Sequence, residues 1–512
     1  MLRAIGIDLG TEKSVVAALR QGGPEVLPNR AQSPFTSTVL AIGPAGELCV
    51  GARAVGLPGA LCALRAGLGR EDRIPFNGLR YTPAELAALF LAHLKAEAEA
   101  ALEEPVGRAV LSVPSAFGWA EAAALKRAAQ LAGLRVLRLV RDPTAAALTY
   151  SLAHPGARTL VVLDLGAGFA SAAVVRAFPG ALTVLGAAGA PDTSGEAITG
   201  RLVAYLLRCL VEQSGLSWRD DESVRASLHG LAERAKATLA HVDHLGLTEP
   251  LRRLGLAGSG SYMLTRGQLE ELSRPCLEDA LGLVDQALAQ GGVHPEAVDG
   301  LLLVGGASQM PLAQAVAQER LPQATLLGGC NPMLAVAQGA AALSGMVAAV
   351  TCPACGLGNP VEAPACRRCG SALAGEPRPA CPRCFLPNDP RRYLCWKCGA
   401  QLPHPGKQRR GPKPPALSRE TCSHCGAALP TGKPVCPACH ALLAVHAPGG
   451  LRCRYCGQVQ RAGAQVCSRC GELVAPFVGE VAGEGLGIET AEGTLEVLIP
   501  CGAPAPSARP VC

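Results

Sequence analysis

The sequence predicts an α/β domain over residues 1–345, followed by a series of small cysteine-rich modules. Apolar runs of strand length alternate with longer helical stretches as far as residue 345, and this order is typical of a domain in which strands and helices are mixed. Three of the apolar runs end in loops that contain glycine. From residue 351 onward the periodic segments stop and pairs of cysteines take their place.

The elements of the α/β domain are predicted from their apolar patterns. Segment 83–102 carries apolar residues at helical spacing on an alanine-rich background, whereas 160–165 is a continuous apolar run typical of a buried strand. Pro143 begins a helix, where its missing N–H removes no hydrogen bond. In chain order we expect strands at 2–9, 14–19, 109–113, 136–140, 160–165, 170–175 and 301–304, and helices at 83–102, 120–132, 144–152, 198–214, 224–240 and from 311 onward.

The composition favours a folded protein and disfavours one class of nucleic-acid binder. Of the 512 residues, 49% are hydrophobic and 17% are charged, so the chain has enough apolar side chains to form a core. Only 3% are aromatic, which disfavours a platform that stacks single-stranded bases on aromatic rings. The net charge of +6 is uneven, because residues 351–476 carry 17 basic and five acidic side chains whereas residues 477–512 carry one and five.

Two features of the sequence argue for a cytoplasmic protein without a membrane span. Asp8 interrupts the first apolar run, so that no secretory signal is expected. Residues 321–361 hold no charged side chain, but their best apolar window, 335–350, is shorter than the roughly 18–20 residues that a spanning helix needs.

The cysteines after residue 351 follow one repeated spacing. Two CxxC pairs separated by ten residues occur four times in succession, which makes the segment an internal repeat. Each CxxC turn brings two sulfurs to one point, and a second turn completes a tetrahedral thiolate set with no open position, as in structural zinc sites. The sixteen candidate ligands, for four Zn²⁺ ions, are Cys352, Cys355, Cys366, Cys369, Cys381, Cys384, Cys395, Cys398, Cys422, Cys425, Cys436, Cys439, Cys453, Cys456, Cys467 and Cys470.

Disulfides and redox-active CxxC pairs are the alternatives to zinc. Disulfides are disfavoured by the expected cytoplasmic location, and modules this small need a bound metal to supply folding energy. The segment resembles the double zinc ribbon family, which implies one pair of ribbons over 351–400 and a second pair over 421–475. A basic proline-rich linker, 401–420, separates the pairs, and a tail, 476–512, follows them with one candidate hairpin at 487–499.

Bound zinc changes the charge of the cysteine-rich segment and therefore its expected partners. Each tetrathiolate zinc centre carries −2, so four centres reduce the +12 of residues 351–476 to about +4. This balance favours ribbons that bind a protein partner, and contact with RNA or DNA is the alternative. The basic side chains available for phosphates are Arg367, Arg368, Arg391, Arg392, Lys407, Arg409, Arg410 and Lys413.

Two of the glycine-bearing loops follow strands that end in an aspartate. The pattern occurs at residues 5–11 and again at residues 163–168. Glycine leaves backbone N–H groups accessible at close range, and carboxylates at strand ends are metal ligands. Two such units facing each other would hold phosphates and a divalent ion between them. The residues concerned are Asp8, Gly10, Thr11, Asp164, Gly166, Ala167 and Gly168.

With these loops in place, residues 1–345 resemble the nucleotide-binding domain of the seventy-kilodalton heat-shock (DnaK-type) chaperones. The resemblance implies the α/β actin-like ATPase fold, with two ribonuclease-H-like lobes, and a site for ATP or ADP with Mg²⁺. It also implies an adenosine loop at Gly305 and Gly306 and a helix that contacts ribose and adenine through Glu233 and Lys236. The matching segments are 6–11, 109–114, 132–134, 142–147, 164–168, 233–236, 303–306, 331–332 and 335–341.

Several positions depart from the catalytic pattern of that family. Phe169 stands where the family has a threonine that positions the attacking water, and Arg65 stands in place of a catalytic lysine. Asp142 replaces a longer glutamate, and Ser171 replaces an acid. The aspartates of both phosphate loops are retained. We therefore expect nucleotide binding with slow or absent hydrolysis, and the candidate catalytic residues are Arg65, Asp142 and Asp164.

Zinc ribbons occupy the place of the family's peptide-binding β-sandwich, so the clamp for unfolded peptide is not expected. The favoured function is that of a chaperone-related, ATP-binding switch or weak ATPase whose ribbons bind a partner. The alternative is a nucleic-acid-associated zinc ribbon regulator with a degenerate ATPase domain. A sugar-kinase-like enzyme is a third interpretation, because actin-like domains also host phosphoryl transfer, but no segment resembles a sugar site.

Overall fold

The computed structural model describes residues 3–402 with short gaps, and four short strands beyond residue 402. The gaps are at 22, 179–180, 192, 215–221, 257–260, 348, 353–357, 361–362, 364, 368, 372–377 and 391. The chain divides into two compact units. One comprises Met1–Ala348, Ala374–Leu402 and Ala482–Ala503, and the other comprises Ala349–Leu373, Pro403–Val481 and Pro504–Cys512. The segment 351–400, expected to be one double ribbon, is thus divided between the units, and the domain boundaries stay predictions.

The first half of the α/β region forms a six-stranded sheet with helices packed on it. Its elements, in chain order, are β1 (Arg3–Asp8), β2 (Lys13–Arg20), β3 (Gly23–Val26), β4 (Thr36–Ser37), β5 (Leu40–Ile42), β6 (Leu48–Val50), β7 (Ile74–Phe76), β8 (Leu79–Tyr81), α1 (Pro83–Leu102), β9 (Val106–Val113), α2 (Trp119–Leu131), β10 (Arg135–Arg141) and α3 (Asp142–Ala153). The strand order is β10-β9-β1-β2-β3, with β4 beside β2. Strands β5 and β6 form one separate hairpin, and β7 and β8 form another.

The second half of the region repeats this plan. Its elements are β11 (Arg158–Leu165), β12 (Ala170–Phe178), β13 (Ala181–Ala190), α4 (Gly195–Ser214), α5 (Glu222–Leu239), β14 (His244–Gly246), α6 (Thr248–Arg253), β15 (Met263–Thr265), α7 (Arg266–Gly291), β16 (Gly300–Val304), α8 (Pro311–Arg320), β17 (Thr325–Leu327) and α9 (Ala335–Met346). The sheet order β13-β12-β11-β16-β17 has the same sense as the first sheet, since β11 pairs antiparallel with β12 and parallel with β16. The two-lobed α/β fold that the sequence predicts is confirmed.

The remaining described strands form short antiparallel pairs. They are β18 (Ala349–Thr351) with β19 (Gly358–Pro360), β20 (Glu420–Thr421) with β21 (Ala428–Leu429), and β22 (Gly487–Glu489) with β23 (Leu495–Val497). The last pair lies at the hairpin expected in the tail. The basic linker, apart from its first two residues and its last, and the cysteines of the third and fourth ribbons lie outside the described residues.

Helices α3 and α9 pack against each other, and α9 also packs against β1. The contact requires residues without bulky side chains, because a Cβ on Gly339 would lie 1.8 Å from the Ala145 carbonyl oxygen, and one on Gly6 would lie 2.1 Å from the Ala341 nitrogen. Buried residues of both helices belong to one core cluster with residues of β9, β11 and β16. This cluster packs strands of both sheets against the same pair of helices and so holds the two sheets in a fixed arrangement.

The expected elements are present with shifted ends, and two long elements were not expected. Strand β13 is rich in alanine and glycine, which have low strand propensity, and it forms through pairing with β12. Helix α7 contains Pro275 in its interior, a residue that normally argues against a continuous helix. In both cases tertiary packing outweighs local propensity.

The close approach at Gly339 predicts opposite effects for two glycine-to-alanine changes in helices. We expect Gly339→Ala to lower the free energy of unfolding by about 1–3 kcal/mol, because the added methyl meets a backbone oxygen. Gly200→Ala is the matched control, since a Cβ at Gly200 of α4 meets no atom within 4 Å, and it should stabilise the protein by about 0.5–1 kcal/mol. Urea unfolding measures both, and equal stability of the two variants would contradict the packing.

Candidate functional site

The two aspartate-bearing strands are central in their sheets and hold their aspartates at corresponding places. Asp8 is the last residue of β1 and pairs in register with Val15 of β2. Asp164 is the penultimate residue of β11 and pairs with Ser171 of β12. The Ser112 hydroxyl of β9 donates to Oδ1 of Asp8 at 3.1 Å. Sequence reasoning did not single out Ser112, because its proximity to Asp8 depends on the parallel pairing of β1 with β9.

The loops that follow these strands meet at their tips. A Cβ on Gly168 would lie 2.5 Å from Oγ1 of Thr11, so that only glycine permits this approach. Gly10 is equally confined, with a Cβ position 2.0 Å from the Lys13 carbonyl oxygen. The Thr11 hydroxyl is buried and has no hydrogen-bond partner among the described residues.

The second loop is tied by its backbone to the start of α4. The Gly195 N–H donates to the Gly166 carbonyl at 2.9 Å, and the Glu196 N–H donates to the Ala167 carbonyl at 2.7 Å. The first helical residues therefore hold both loop carbonyls in place. Within the loop, the Gly166 N–H donates to the Phe169 carbonyl at 3.1 Å.

Glu233 and Lys236 lie on α5 and form one polar cluster with α4. Nζ of Lys236 lies 2.7 Å from Oε1 of Glu233, donates to the Thr199 hydroxyl at 2.7 Å, and donates to the Gly195 carbonyl at 2.9 Å. The Thr199 hydroxyl also hydrogen-bonds with Glu233. Thr199 is a fully buried member of this cluster that the sequence did not indicate.

One guanidinium lies beside two carboxylates in the centre of the site, and the charge of Arg65 also acts on a third, Asp164. Nη1 of Arg65 donates to Oδ2 of Asp142 at 3.2 Å and lies 3.9 Å from Oδ1 of Asp8. The side chains of Arg65 and Asp142 are 5% and 3% exposed, and Asp164 is also buried. Nε of Arg65 and Oδ1 of Asp142 have no partner within the described part of the chain. The four residues therefore hold more negative than positive charge away from water.

Burial and mutual repulsion make these carboxyls weaker acids than usual. Desolvation, followed by the charge of Asp142, raises the pKa of Asp8 to about 7, although Arg65 and the Ser112 hydroxyl act in the opposite direction. Desolvation, with the charges of Asp142 and Asp8, raises the pKa of Asp164 well above its ordinary value. A divalent cation between Asp8 and Asp164 would favour the ionised form of both.

Phe169 fills the position at which the related family has a hydroxyl. Its ring packs edge-on against Phe117 with 5.7 Å between centroids, and the guanidinium of Arg65 lies 5.3 Å from its centroid. Ser171, also in place of a family residue, accepts a hydrogen bond from the Ser115 N–H at 3.0 Å. An apolar ring therefore packs against the cation that the sequence assigned to catalysis.

The third glycine loop reaches the second aspartate. Gly305 follows β16 with a φ of +85°, and its Cβ would lie 2.5 Å from Oδ1 of Asp164. Gly306 faces Met333, whose sulfur would be 3.4 Å from an added Cβ. The structure thus joins the three loops and the acidic centre through direct contacts, whereas Glu233 and Lys236 hydrogen-bond to each other and to α4.

Three properties of this site fit a magnesium-bound nucleotide. The buried polar atoms without partners, on Thr11, Arg65 and Asp142, are the kind that a ligand or ion satisfies. The excess of carboxylates suits a hard divalent cation, which takes oxygen ligands. The loops leave no room for side chains at Gly10, Gly168 and Gly305, as in loops whose backbone N–H groups donate to phosphate.

The second ribbon brings its four cysteines together. The sulfurs of Cys381 and Cys398 are 3.6 Å apart, those of Cys384 and Cys395 are 3.4 Å apart, and all four form one potential metal site. A tetrahedral zinc with bonds of about 2.3 Å sets its sulfurs about 3.8 Å apart, so the cluster fits Zn²⁺. Gly399 has a φ of +70°, as the turn after a second cysteine requires.

The first ribbon shows the same arrangement in its described residues. Cys352, Cys366 and Cys369 form a second potential metal site, while Cys355 lies outside the described residues. Buried asparagines link the two turns of each ribbon: Asn359 accepts from the Arg367 N–H at 2.9 Å, and Asn388 accepts from the Trp396 N–H at 3.1 Å. The sequence analysis missed both, although aligning the two ribbons places them at the same offset.

Comparison with protein families matches two parts of the chain. A family model described as Hsp70 protein matches residues 4–56 and 70–352, and one described as double zinc ribbon matches residues 422–471. Arg65 falls in the interval between the two Hsp70 ranges. Among the described residues, no helix combines the length and apolar character that crossing a membrane requires. The chain carries a double zinc ribbon near its carboxyl end, and it belongs to the Hsp70 protein family.

Proposed function

We propose that this protein is a nucleotide-dependent switch that binds Mg·ATP and hydrolyses it slowly or not at all. The proposal is supported above all by the acidic centre, in which Asp8, Asp142 and Asp164 are gathered around a single arginine in a buried place. Family membership implies nucleotide and magnesium as ligands. The retained glycine loops and the altered catalytic positions support binding over turnover.

Each loop has a separate task in the proposed complex. Asp8 and Asp164 would hold Mg²⁺, which neutralises phosphate charge when it is bound. The N–H groups at Gly10, Gly168 and their neighbours, with the Thr11 hydroxyl, would donate to phosphate oxygens. Two further pairs of residues would contact the nucleoside: Glu233 and Lys236 of α5, and Gly305 and Gly306 of the loop after β16.

Weak hydrolysis is supported by what surrounds the γ-phosphate position. A water that attacks phosphate must be oriented by a hydrogen-bonding group, and Phe169 offers none. Arg65 cannot be deprotonated and already donates to Asp142. We therefore propose that Arg65 stabilises phosphate charge. Any residual hydrolysis would depend on Arg65 together with Asp142 and Asp164.

The zinc ribbons are proposed to bind four Zn²⁺ ions and to contact a protein partner. Zinc binding by all sixteen cysteines would need them to stay reduced, as in a reducing compartment, and this agrees with the expected cytoplasmic location. Tyr393 and Leu394 of the second ribbon are 66% and 59% exposed, and exposed side chains of this type support an apolar contact with a protein. Closure of the cleft around the nucleotide would then move the ribbons and change which of their surfaces a partner can reach.

Removal of the Asp8 charge tests nucleotide binding. We expect Asp8→Asn to weaken Mg·ATP binding by about tenfold or more, corresponding to about 1.4 kcal/mol, because the metal loses one carboxylate. Titration calorimetry with and without Mg²⁺ measures the effect. Asp285→Asn, which alters a surface carboxylate paired with Arg320, should bind as the unmodified protein does. No heat from Mg·ATP with the unmodified protein would overturn the proposed function.

The raised pKa of Asp8 predicts a pH-dependent stability of the nucleotide-free protein. A carboxyl whose folded-state pKa is about 7 against about 3.9 when unfolded stabilises the fold below about pH 4, and this contribution is lost as the pH rises through 7. The melting temperature of the unmodified protein should therefore fall relative to Asp8→Asn between about pH 5 and about pH 8. Mg·ATP should cancel this fall. A constant difference between the two proteins would contradict the assignment.

Restoring a hydroxyl at position 169 tests the account of slow turnover. We expect Phe169→Thr to raise single-turnover ATP hydrolysis by about tenfold or more, because a threonine orients the attacking water. Phe169→Ala is the matched control: it removes the same packing against Phe117 without supplying a hydroxyl, and its rate should stay at the unmodified level. Equal rates for the two variants would assign the slow turnover to another position.

A further inference from the structure

The second zinc ribbon occupies a defined surface of the nucleotide-binding region. Its described residues lie in the same compact unit as residues 1–348. Cys381, Cys384 and Cys395 are buried in one core cluster with Tyr81 of β8 and Leu86 of α1. We call the surface formed by β7, β8 and the first turn of α1 the docking face.

Hydrogen bonds and one buried ion pair join the ribbon to the docking face. The fully buried Tyr81 hydroxyl donates to the Cys384 carbonyl at 3.0 Å, and Nδ2 of Asn77 donates to the Arg383 carbonyl at 2.9 Å. Nζ of Lys397 lies 2.8 Å from Oε2 of Glu85, and these side chains are 11% and 9% exposed. Lysine and glutamate are rarely this buried unless they are paired with each other.

The ion pair is built into the start of α1. Oε2 of Glu85 also accepts from the Thr82 N–H at 2.8 Å and so closes the capping box of the helix. Lys397 lies 5.3 Å from the Tyr81 ring centroid. One lysine of the ribbon therefore contacts both the helix cap and the ring of the docking face, and its loss would leave the Glu85 carboxylate buried with less compensation.

The first two ribbons differ at two positions whose side chains, in the second ribbon, pack against the nucleotide-binding region. Phe385 and Trp396 of the second ribbon pack against the shared core, where the first ribbon has Gly356 and Arg367 at the same offsets from its cysteines. Phe385 has a φ of +59°, a conformation that is unfavourable for a bulky residue and favours glycine. In the second ribbon, the unfavourable backbone conformation of Phe385 is therefore offset by the packing of its side chain against the core.

The docking face adjoins the segment that carries Arg65. This segment, residues 51–73, runs from the end of β6 to the start of β7. Leu64 and Leu68, on either side of Arg65, belong to the same core cluster as Tyr81 and the ribbon cysteines. A Cβ on Gly67 would lie 3.3 Å from Pro83 of α1, so the segment rests on the helix that the ribbon clamps.

We infer that zinc in the second ribbon stabilises the nucleotide-binding lobe by holding this ribbon on the docking face, and thereby positions Arg65 in the cleft. Zinc binding and nucleotide binding are then linked through one folded unit. The link to nucleotide rests on the proposed function, whereas the docking itself rests on the contacts above. The second ribbon is an integral part of the lobe, and Arg65 depends on it for position.

Matched cysteine variants of the full chain test this inference. Cys395→Ser in the second ribbon and Cys366→Ser in the first each remove one ligand at the same place in the repeat. Each variant should lose one zinc, which elemental analysis measures. Only Cys395→Ser should lower the melting temperature of the main unfolding transition and weaken Mg·ATP binding by about tenfold. Equal melting temperatures for the two variants would overturn the inference.

The outcomes separate the inference from the proposed function. If the unmodified protein binds no Mg·ATP, the proposed function fails, and the difference in melting temperature still decides whether the ribbon is docked. If Cys395→Ser melts lower but binds Mg·ATP like Cys366→Ser, the positioning of Arg65 is overturned and the docking is upheld.

A second pair of variants leaves every zinc ligand in place. Tyr81→Phe removes the hydroxyl that donates to the Cys384 carbonyl and should lower the melting temperature by about 2–4 °C with an unchanged zinc content. Tyr262→Phe is the control: it removes a buried hydroxyl that has no hydrogen-bond partner among the described residues, so it should not lower the melting temperature. Equal melting temperatures for these variants would count against the docking contact.

Discussion

The structure depends on a buried excess of negative charge in the cleft. Asp8, Asp142 and Asp164 share one cation, Arg65, and the raised pKa values of Asp8 and Asp164 follow from this imbalance. Burial and mutual repulsion favour the neutral form of such carboxyls, so the charge of this centre depends on what binds to it. Under the proposed function, a divalent cation would favour the charged form of these carboxyls and would bring phosphates with it.

Close backbone contacts hold the acidic residues in register with one another. Gly6 and Gly339 allow β1, α9 and α3 to approach within distances that no side chain permits, and Gly168 and Gly305 do the same for the loops. These contacts transmit position directly, because packed backbones have little freedom to rearrange. The charge cluster and the glycine contacts therefore act together. The acidic residues favour the binding of a cation, and the close backbone contacts fix the positions of these residues.

The sequence predicted what depends on local pattern. Apolar runs located most strands, the aspartate-glycine turns located two of the loops that meet at the acidic centre, and the CxxC spacing predicted the cluster of four cysteines in the second ribbon. It did not predict β13, which is rich in alanine and glycine, or α7, which contains Pro275 in its interior. It also did not reveal the contacts of Tyr81 and Lys397, because they are far apart in the chain and each is ordinary among its neighbours.

One local signal did point to the docked ribbon. The turn after a second cysteine favours glycine, which follows six of the eight CxxC pairs, and Phe385 is one of two exceptions. A phenylalanine at a positive φ is costly in isolation, so its presence argues that packing repays the strain. In the first ribbon the same turn carries Gly356 and has no aromatic side chain to contribute to such a core. Ribbons with the same metal ligands can thus differ through the residues around their cysteines: those of the second ribbon pack it against the lobe that contains Tyr81 and leave Tyr393 and Leu394 exposed.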